Sequence, residues 1–444
     1  MKQYSQMKES GIESIGKIPE GWESRKLRTV CNMFGRIGYR GYTINDIVEE
    51  GEGAITLSPS NIIDDKFDLN KKIYLSWMKY EESPEIQIFD NDILLVKTGS
   101  TVGKVCMITN ATEKMTINPQ LVVLKSLKIN SNFLLFFMVS NVFKDQLYAS
   151  IAGGSTPTTS QGEILSHHIL FPSPKEQKQI VSYLDKKTAK IDDEITKNQN
   201  LIKLLQEKRQ SEINHAVTKG LDDSVEMKDS GIEWIGKIPE EWVNTKLKFI
   251  LSLLKDGSHN PPPRVDDGIK FLSGATDIKN SKILFDKCSF ISKDDYVELH
   301  KRYQLKDKDI LLTIVATLGN VAIVEQKDLP FSMQRSIAVL RSKSIISHKF
   351  LFYFLHSKYF QENLISKNHG SVKPGIYLGE LNNISLVYPQ NISEQKQIVS
   401  YLDEKTTKID SLISKIQLQI SNLQDFRESL ISSAVTGKIM VTQA

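Results

Sequence analysis

Residues 7–22 read MKESGIESIGKIPEGW, and residues 227–242 read MKDSGIEWIGKIPEEW. Thirteen of these sixteen positions are identical, at an offset of 220. A second pair lies downstream: residues 176–192 read EQKQIVSYLDKKTAKID, and 394–410 read EQKQIVSYLDEKTTKID, with fifteen of seventeen identical at an offset of 218. Ala216-Val-Thr also matches Ala434-Val-Thr. The chain is an internal duplication whose period is far longer than that of a solenoid repeat. Its order is short motif, variable block, matched segment, then the same again.

Between the matched islands, residues 23–171 and 243–388 share scattered echoes. Asp92-Ile-Leu-Leu aligns with Asp309-Ile-Leu-Leu, Val102-Gly103 with Leu318-Gly319, and Gly154-Ser155 with Gly370-Ser371. Phe133-Leu-Leu-Phe-Phe aligns with Phe350-Leu-Phe-Tyr-Phe. The spacing drifts by only a few residues, so both blocks are expected to share one fold. Asp92–Lys97, Lys104–Ile108 and Gln120–Lys125 have strand composition, as do Asp309–Ile314, Val321–Val324 and Ser336–Arg341. Phe133–Tyr148 and Phe350–Ile365 read as amphipathic helices.

The matched segments carry a helical stripe. Apolar residues fall at Ile180, Leu184, Ile191, Ile195, Ile202 and Leu205, and again at Ile398, Leu402, Ile409, Ile413, Ile420 and Leu423. Steps of 3, 4 and 7 place each set on one helix face. Ile416 continues the second stripe, whereas Asn198 interrupts the first. Pro172 and Pro174 precede one helix and Pro389 the other. Each helix is expected to run about 40 residues, roughly 60 Å. Two equivalent narrow stripes in one chain predict each other as coiled-coil partners; the other reading is two separate helices capping their own domains.

The chain has 444 residues, with 40% hydrophobic and 25% charged, which predicts two or more globular domains. The longest apolar run, near Phe133–Val139, is far short of the roughly 20 residues of a membrane span. The start, MKQYSQMKES, has no apolar stretch, so no signal peptide is expected. Cys31, Cys106 and Cys288 lie too far apart for a metal site and fit a reducing compartment. The net charge of +4 is by itself the mark of an ordinary soluble chain.

Catalytic motifs are missing. There is no phosphate-binding loop for ATP, no Gly-rich methyl-donor fingerprint and no nuclease arrangement of carboxylates and lysine. Asn260-Pro-Pro-Pro263 lacks the aromatic that follows Asn-Pro-Pro in amino-methyltransferases, so it reads as a rigid loop. His167-His168, before an apolar strand, reads as structural. The pattern is that of a binding protein.

The duplicated motifs resemble the specificity subunit of type I restriction–modification enzymes. Gly11–Trp22 and Gly231–Trp242 match that family's Gly-x-x-x-x-Gly-x-Ile-Pro-x-x-Trp stretch. Pro174-Lys-Glu-Gln-Lys-Gln-Ile180 and Ser393-Glu-Gln-Lys-Gln-Ile398 match its Pro-x-x-x-Gln-x-x-Ile helix, although Ile392 stands where the second copy would have proline. The resemblance implies an α+β fold: two globular mixed α/β target-recognition domains joined by two long antiparallel helices forming a coiled coil, with a pseudo-two-fold repeat. It divides the chain into motifs 1–22 and 221–242, recognition domains 23–171 and 243–388, and helices 172–220 and 389–444. It implies reading of a bipartite target in double-stranded DNA, together with two methyltransferase and two restriction subunits. The cofactors S-adenosylmethionine, ATP and Mg would sit on those partners and none on this chain. The setting would be the cytoplasm of a prokaryote, at the nucleoid when bound to DNA.

Specific reading needs hydrogen-bonding side chains in a groove and cations on phosphates. The candidates are Lys97, Ser100, Lys104, Ser155, Thr156 and Thr158 in the first block. In the second they are Ser258, His259, Asn260, Arg264, Arg335, Ser371 and Lys373. The competing functions are a protein-binding coiled-coil scaffold and a fused methyltransferase. Two blocks that diverge so far on a nearly constant frame favour two different DNA half-sites.

Overall fold

The computed structural model describes all residues except 1–3, 13–14, 152–155, 275, 302, 369–373 and 442–444. The chain divides into two compact units: residues 1–198 with 417–444, and residues 199–416.

In the first unit, strands Val105–Met107, Ile93–Val96, Leu121–Lys125 and Asn32–Gly35 form an antiparallel sheet in that order. A second sheet runs Met115–Ile117, Gly53–Leu57, Tyr74–Ser76, Ile47–Val48, with its first two strands parallel. The apolar runs are continuous because the first sheet is covered on both faces. Ile93, Leu95, Val122 and Leu124 face one core, with helices Ser131–Val139 and Asn141–Ala149; Leu94, Val96, Leu121 and Val123 face another, with the second sheet.

The second unit repeats this plan. Leu251–Asp256, Ile337–Ser342, Ile310–Thr313 and Val321–Ile323 form one sheet. Ser289–Ile291, Ile269–Leu272 and Phe331–Met333 form the other, again with one parallel pair. The six expected strands are found within a residue or two.

The two expected amphipathic helices are each broken. Ser131–Val139 and Asn141–Ala149 flank Ser140, and His348–His356 and Lys358–Ser366 flank Ser357. Both serines are fully buried in extended backbone, with ψ of 152° and 145°. Ser140 Oγ donates to Phe137 O at 2.6 Å, and Ser357 Oγ accepts from Phe360 N at 3.2 Å. Each hydroxyl supplies a bond that the helix would otherwise make itself.

The long helices span Pro174–Lys219 and Ile392–Val435, 46 and 44 residues. The first unit brings 174–198 together with 417–435: Ile180, Leu184 and Ile191 share a core with Leu430, Ile431, Ala434 and Val435. Arg427 Nε donates to Asp192 at 2.9 Å. The second unit mirrors this, with Ile398 and Leu402 sharing a core with Ile213, Ala216 and Val217, and Arg209 Nε donating to Asp410 at 2.9 Å. Ile409 and Ile416 are buried, while Ile195, Ile202, Leu205, Ile413, Ile420 and Leu423 are half-buried. Asn198 is also buried, and its amide nitrogen has no partner among the described residues.

The constancy of the repeated motifs has a direct cause. Gln177 Oε1 accepts from Asn130 N at 2.9 Å, and its Nε2 donates to Pro172 O at 2.8 Å. Gln395 does the same with Ser347 N at 2.7 Å and Pro389 O at 2.8 Å. Both amides are buried. Each staples the start of a long helix to the start of a recognition-block helix, and replacement would strand several polar groups.

Candidate nucleic-acid interface

In the first unit several strands end together. Val96 lies opposite Leu121 and Gly35 opposite Val122, while Leu57 lies beside Ile117 in the parallel pair. The turns after residues 35, 57, 96 and 117 therefore emerge at one end of the paired sheets. In the second unit Asp256 lies opposite Ala338, Thr313 opposite Ile337, and Leu272 beside Met333, so its turns converge in the same way.

The first unit's turns are tied to one another. Lys97 N donates to Gln120 O at 2.9 Å, Thr159 N donates to Lys97 O at 3.0 Å, and Gly99 N donates to Pro157 O at 2.9 Å. The hydroxyls of Thr98 and Thr158 lie 2.5 Å apart. Gly99 has φ +107, a region that glycine enters without strain. Ser100, Thr156 and Thr158 are exposed and Lys97 is half-buried. The Lys104 ammonium donates to Ile62 O at 3.4 Å. Ser155 lies outside the described residues.

Arg36 braces this end from below. It is 6% exposed and donates to Ile117 O at 3.1 Å, Thr116 Oγ1 at 3.0 Å and Arg40 O at 3.2 Å. Burial pulls its pKa below the ordinary guanidinium value. Next to it, Asn118 Oδ1 accepts from Gln120 N at 3.0 Å, and Asn118 Nδ2 donates to Gln120 Oε1 at 3.1 Å.

The second unit is interlocked by backbone. Ser258 N donates to Met333 O at 2.9 Å, and Arg335 N donates to Ser258 O at 3.0 Å. Gly257 lies across this junction, where a Cβ would meet Met333 O at 2.2 Å. The Arg335 side chain is exposed beside a cavity of about 270 Å³ lined by Ser273, Thr276, Val315 and Gln334 among others. His259 and Asn260 are exposed; His259 Nε2 lies 2.7 Å from Asp256 Oδ2. Arg264 stacks over Phe271, 4.2 Å from the ring centroid. Ser258 Oγ donates to Asn260 O at 2.8 Å. Ser371 and Lys373 lie outside the described residues.

The structure thus brings Lys97, Ser100, Thr156 and Thr158 to one end of the first unit. It brings Ser258, His259, Asn260, Arg264 and Arg335 to the matching end of the second. The same ends also carry Ser58, Asn118 and Gln120, and their counterparts Ser273, Gln334 and Ser336, which the sequence reading did not name. The available signal was that Asn118-Pro-Gln120 and Gln334-Arg-Ser336 stand at the same place, just before the aligned runs Val122-Val-Leu124 and Ala338-Val-Leu340. His167 and His168 are structural: His167 packs edge-on against Phe143, and His168 Nδ1 lies 3.1 Å from Ser24 Oγ. Among the described residues no group of His, Cys, Asp and Glu is arranged to hold a metal, and no helix is long and apolar enough to cross a membrane.

A family model described as the type I restriction modification DNA specificity domain matches residues 19–204 and 239–422. The chain belongs to this family and carries its domain twice. It is similar to the type I restriction enzyme MjaVIII specificity subunit of Methanocaldococcus jannaschii, 26% identical over 80% of this chain and 81% of that one. It is also similar to the EcoKI specificity subunit of Escherichia coli K12, 22% identical over 96% of this chain and 91% of that one. A solved chain described under complex assembly and conformational transition of the type I R-M system shares the fold. Its TM-score is 0.70 at 17% identity, covering 95% of this chain and 99% of the other. The chain is a DNA target-recognition subunit of a type I restriction–modification system.

Proposed function

We propose that the chain reads a bipartite target in double-stranded DNA, one half-site per unit, and directs two methyltransferase and two restriction subunits to it. One observation carries this reading: two equivalent ends, built on the same strands and turns, present different polar side chains. Asn118 and Gln120 stand where Gln334 and Ser336 stand in the other unit. A scaffold binding only protein gives no reason for that divergence on so constant a frame.

In this reading recognition domains 23–171 and 243–388 choose the site, and the long helices form an antiparallel coiled coil between them. The Asp192–Arg427 and Arg209–Asp410 pairs support that pairing, since each joins an early residue of one helix to a later one of the other. The chain itself performs no chemistry; S-adenosylmethionine, ATP and Mg act on the partner subunits, in the cytoplasm of a prokaryotic cell.

Methylome sequencing of cells that express this chain with its partners tests the proposal. A methylated motif split by a fixed unread gap is expected. A contiguous motif, or methylation independent of this chain, would overturn it.

A further inference from the structure

Among the differences between the two frames, one lies away from the strand ends assigned to DNA. In the first unit Tyr4 packs edge-on against Trp22, with ring centroids 6.0 Å apart and planes at 73°. Its hydroxyl donates to Glu176 Oε1 at 3.4 Å, the oxygen that also accepts from Trp22 Nε1 at 3.1 Å. Burial and the Glu176 charge push the Tyr4 phenol up to about 12, so it stays a donor. Ile439 covers the same core from the far end of the chain.

In the second unit Trp242 Nε1 donates to Glu394 Oε1 at 2.8 Å, but the repeat offset places Ser224 where the first unit has Tyr4. Ser224 turns its hydroxyl to Asp222 at 2.6 Å. A cavity of about 590 Å³ lies there, lined by Trp242, Glu394, Pro239, Ile398, Leu221 and Val225. Leu221 and Val225 are 44% and 38% exposed, an apolar mouth left open to water. Asp222, Glu226, Glu240 and Glu241 also border it, against the single cation Lys219. An apolar floor with one convergent acceptor is the make-up of a specific pocket.

We propose that this cavity receives a tyrosine side chain of a partner polypeptide, seated against Trp242 and donating to Glu394, on a segment with basic residues beside it. The first unit supplies the template for the ring and its hydrogen bond. The carboxylates around the mouth set the charge of the flanking residues, by complementarity. The site is separate from the strand ends assigned to DNA and stands whether or not the target is bipartite.

Calorimetric titration of the full chain with the peptide acetyl-Lys-Tyr-Lys-amide tests this. Saturable binding at one site is expected, at least tenfold weaker for the Lys-Ala-Lys peptide. Ser224→Tyr should fill the cavity from within, as Tyr4 does, and abolish binding. Glu240→Lys with Glu241→Lys changes two exposed side chains, leaves the fold intact by circular dichroism, and should weaken binding at least tenfold. Absence of saturable binding, equal binding of both peptides, or indifference to the charge reversal overturns the proposal. So does a dimer of the parent chain that Ser224→Tyr dissolves without any peptide binding, which would make a second copy the occupant.

Discussion

The indole of Trp242 donates to Glu394 at 2.8 Å across 152 residues of sequence. The motif before each variable block and the helix after it are therefore one structural unit, cut in two by an insertion. The neighbouring Gln395 shows how much rests on this junction, since it bonds Ser347 N, Ile345 O and Pro389 O. Gln395→Leu strands these buried groups, and each unsatisfied group costs about 1–3 kcal/mol. Urea unfolding of the full chain should show a loss of at least 2 kcal/mol, while Lys396→Ala, at an exposed position, should leave the midpoint unchanged.

The helical seam should matter to assembly before it matters to base reading. Ile409 is 6% exposed and Ile413 is half-buried. Truncating a buried isoleucine costs about 2–5 kcal/mol, and a buried unpaired carboxylate adds to that. Ile409→Asp with Ile413→Asp is expected to abolish stable association with methyltransferase subunits in size-exclusion chromatography of the co-expressed complex. A full-sized, active complex from this variant would mean that assembly does not depend on the packing of these two residues.

Arg335 projects beside the 270 Å³ cavity with its backbone fixed to Ser258. A bidentate arginine–base contact is worth about 1–3 kcal/mol of discrimination. Arg335→Ala should relax the methylome motif at one position of one half-site and leave the other half-site unchanged. Arg264→Ala should act without a sequence signature, lowering affinity evenly and reducing the salt dependence by about one phosphate contact.

His356 gives the second unit a dependence on acid. Its Nδ1 lies 2.9 Å from Phe352 O and its Nε2 3.0 Å from Ser281 Oγ. Burial holds its pKa down to about 4, from an ordinary 6.5. The depressed value means that the unfolded chain takes up the proton first. Stability from the neutral ring is complete above pH 6.5 and falls as pH drops toward 4, by about 1.4 kcal/mol per unit. In thermal melts the parent should lose its advantage over His356→Gln across that window.

The strands were legible because short apolar runs such as Ile93-Leu-Leu-Val96 combine β-branched residues with polar flanks; apolarity alone did not decide, since the helix Ser131–Val139 carries a similar run. The helix breaks were not, because Ser140 and Ser357 look like ordinary helix-surface residues; only burial reveals that their hydroxyls replace backbone bonds. The stripe was read to Leu205 and Leu423, yet fully buried packing continues beyond it, at Val217 and Val435, as deep as at Leu184, Ile398 and Leu402. Alanine in Ala216-Val and Ala434-Val hid this, being too small to register as a stripe. Among the residues gathered at these strand ends, loop composition had pointed to Ser258 and Arg335. It passed over Gln334 because its place depends on a parallel strand pair, which no local pattern announces.

Each variable block leaves the frame through a two-stranded ribbon, Glu23–Lys26 against His168–Phe171 and Trp242–Lys246 against Ser385–Pro389. The two ends of a block are thus hydrogen-bonded neighbours, about 5 Å apart. Genetic exchange at the ribbon would carry a complete domain whose ends already fit the recipient, with no loop to rebuild. Under the proposed reading of one half-site per block, such an exchange would bring in a new half-site in one recombination event; exchange of residues 23–171 with a relative should rewrite one half of the methylated motif and preserve the other.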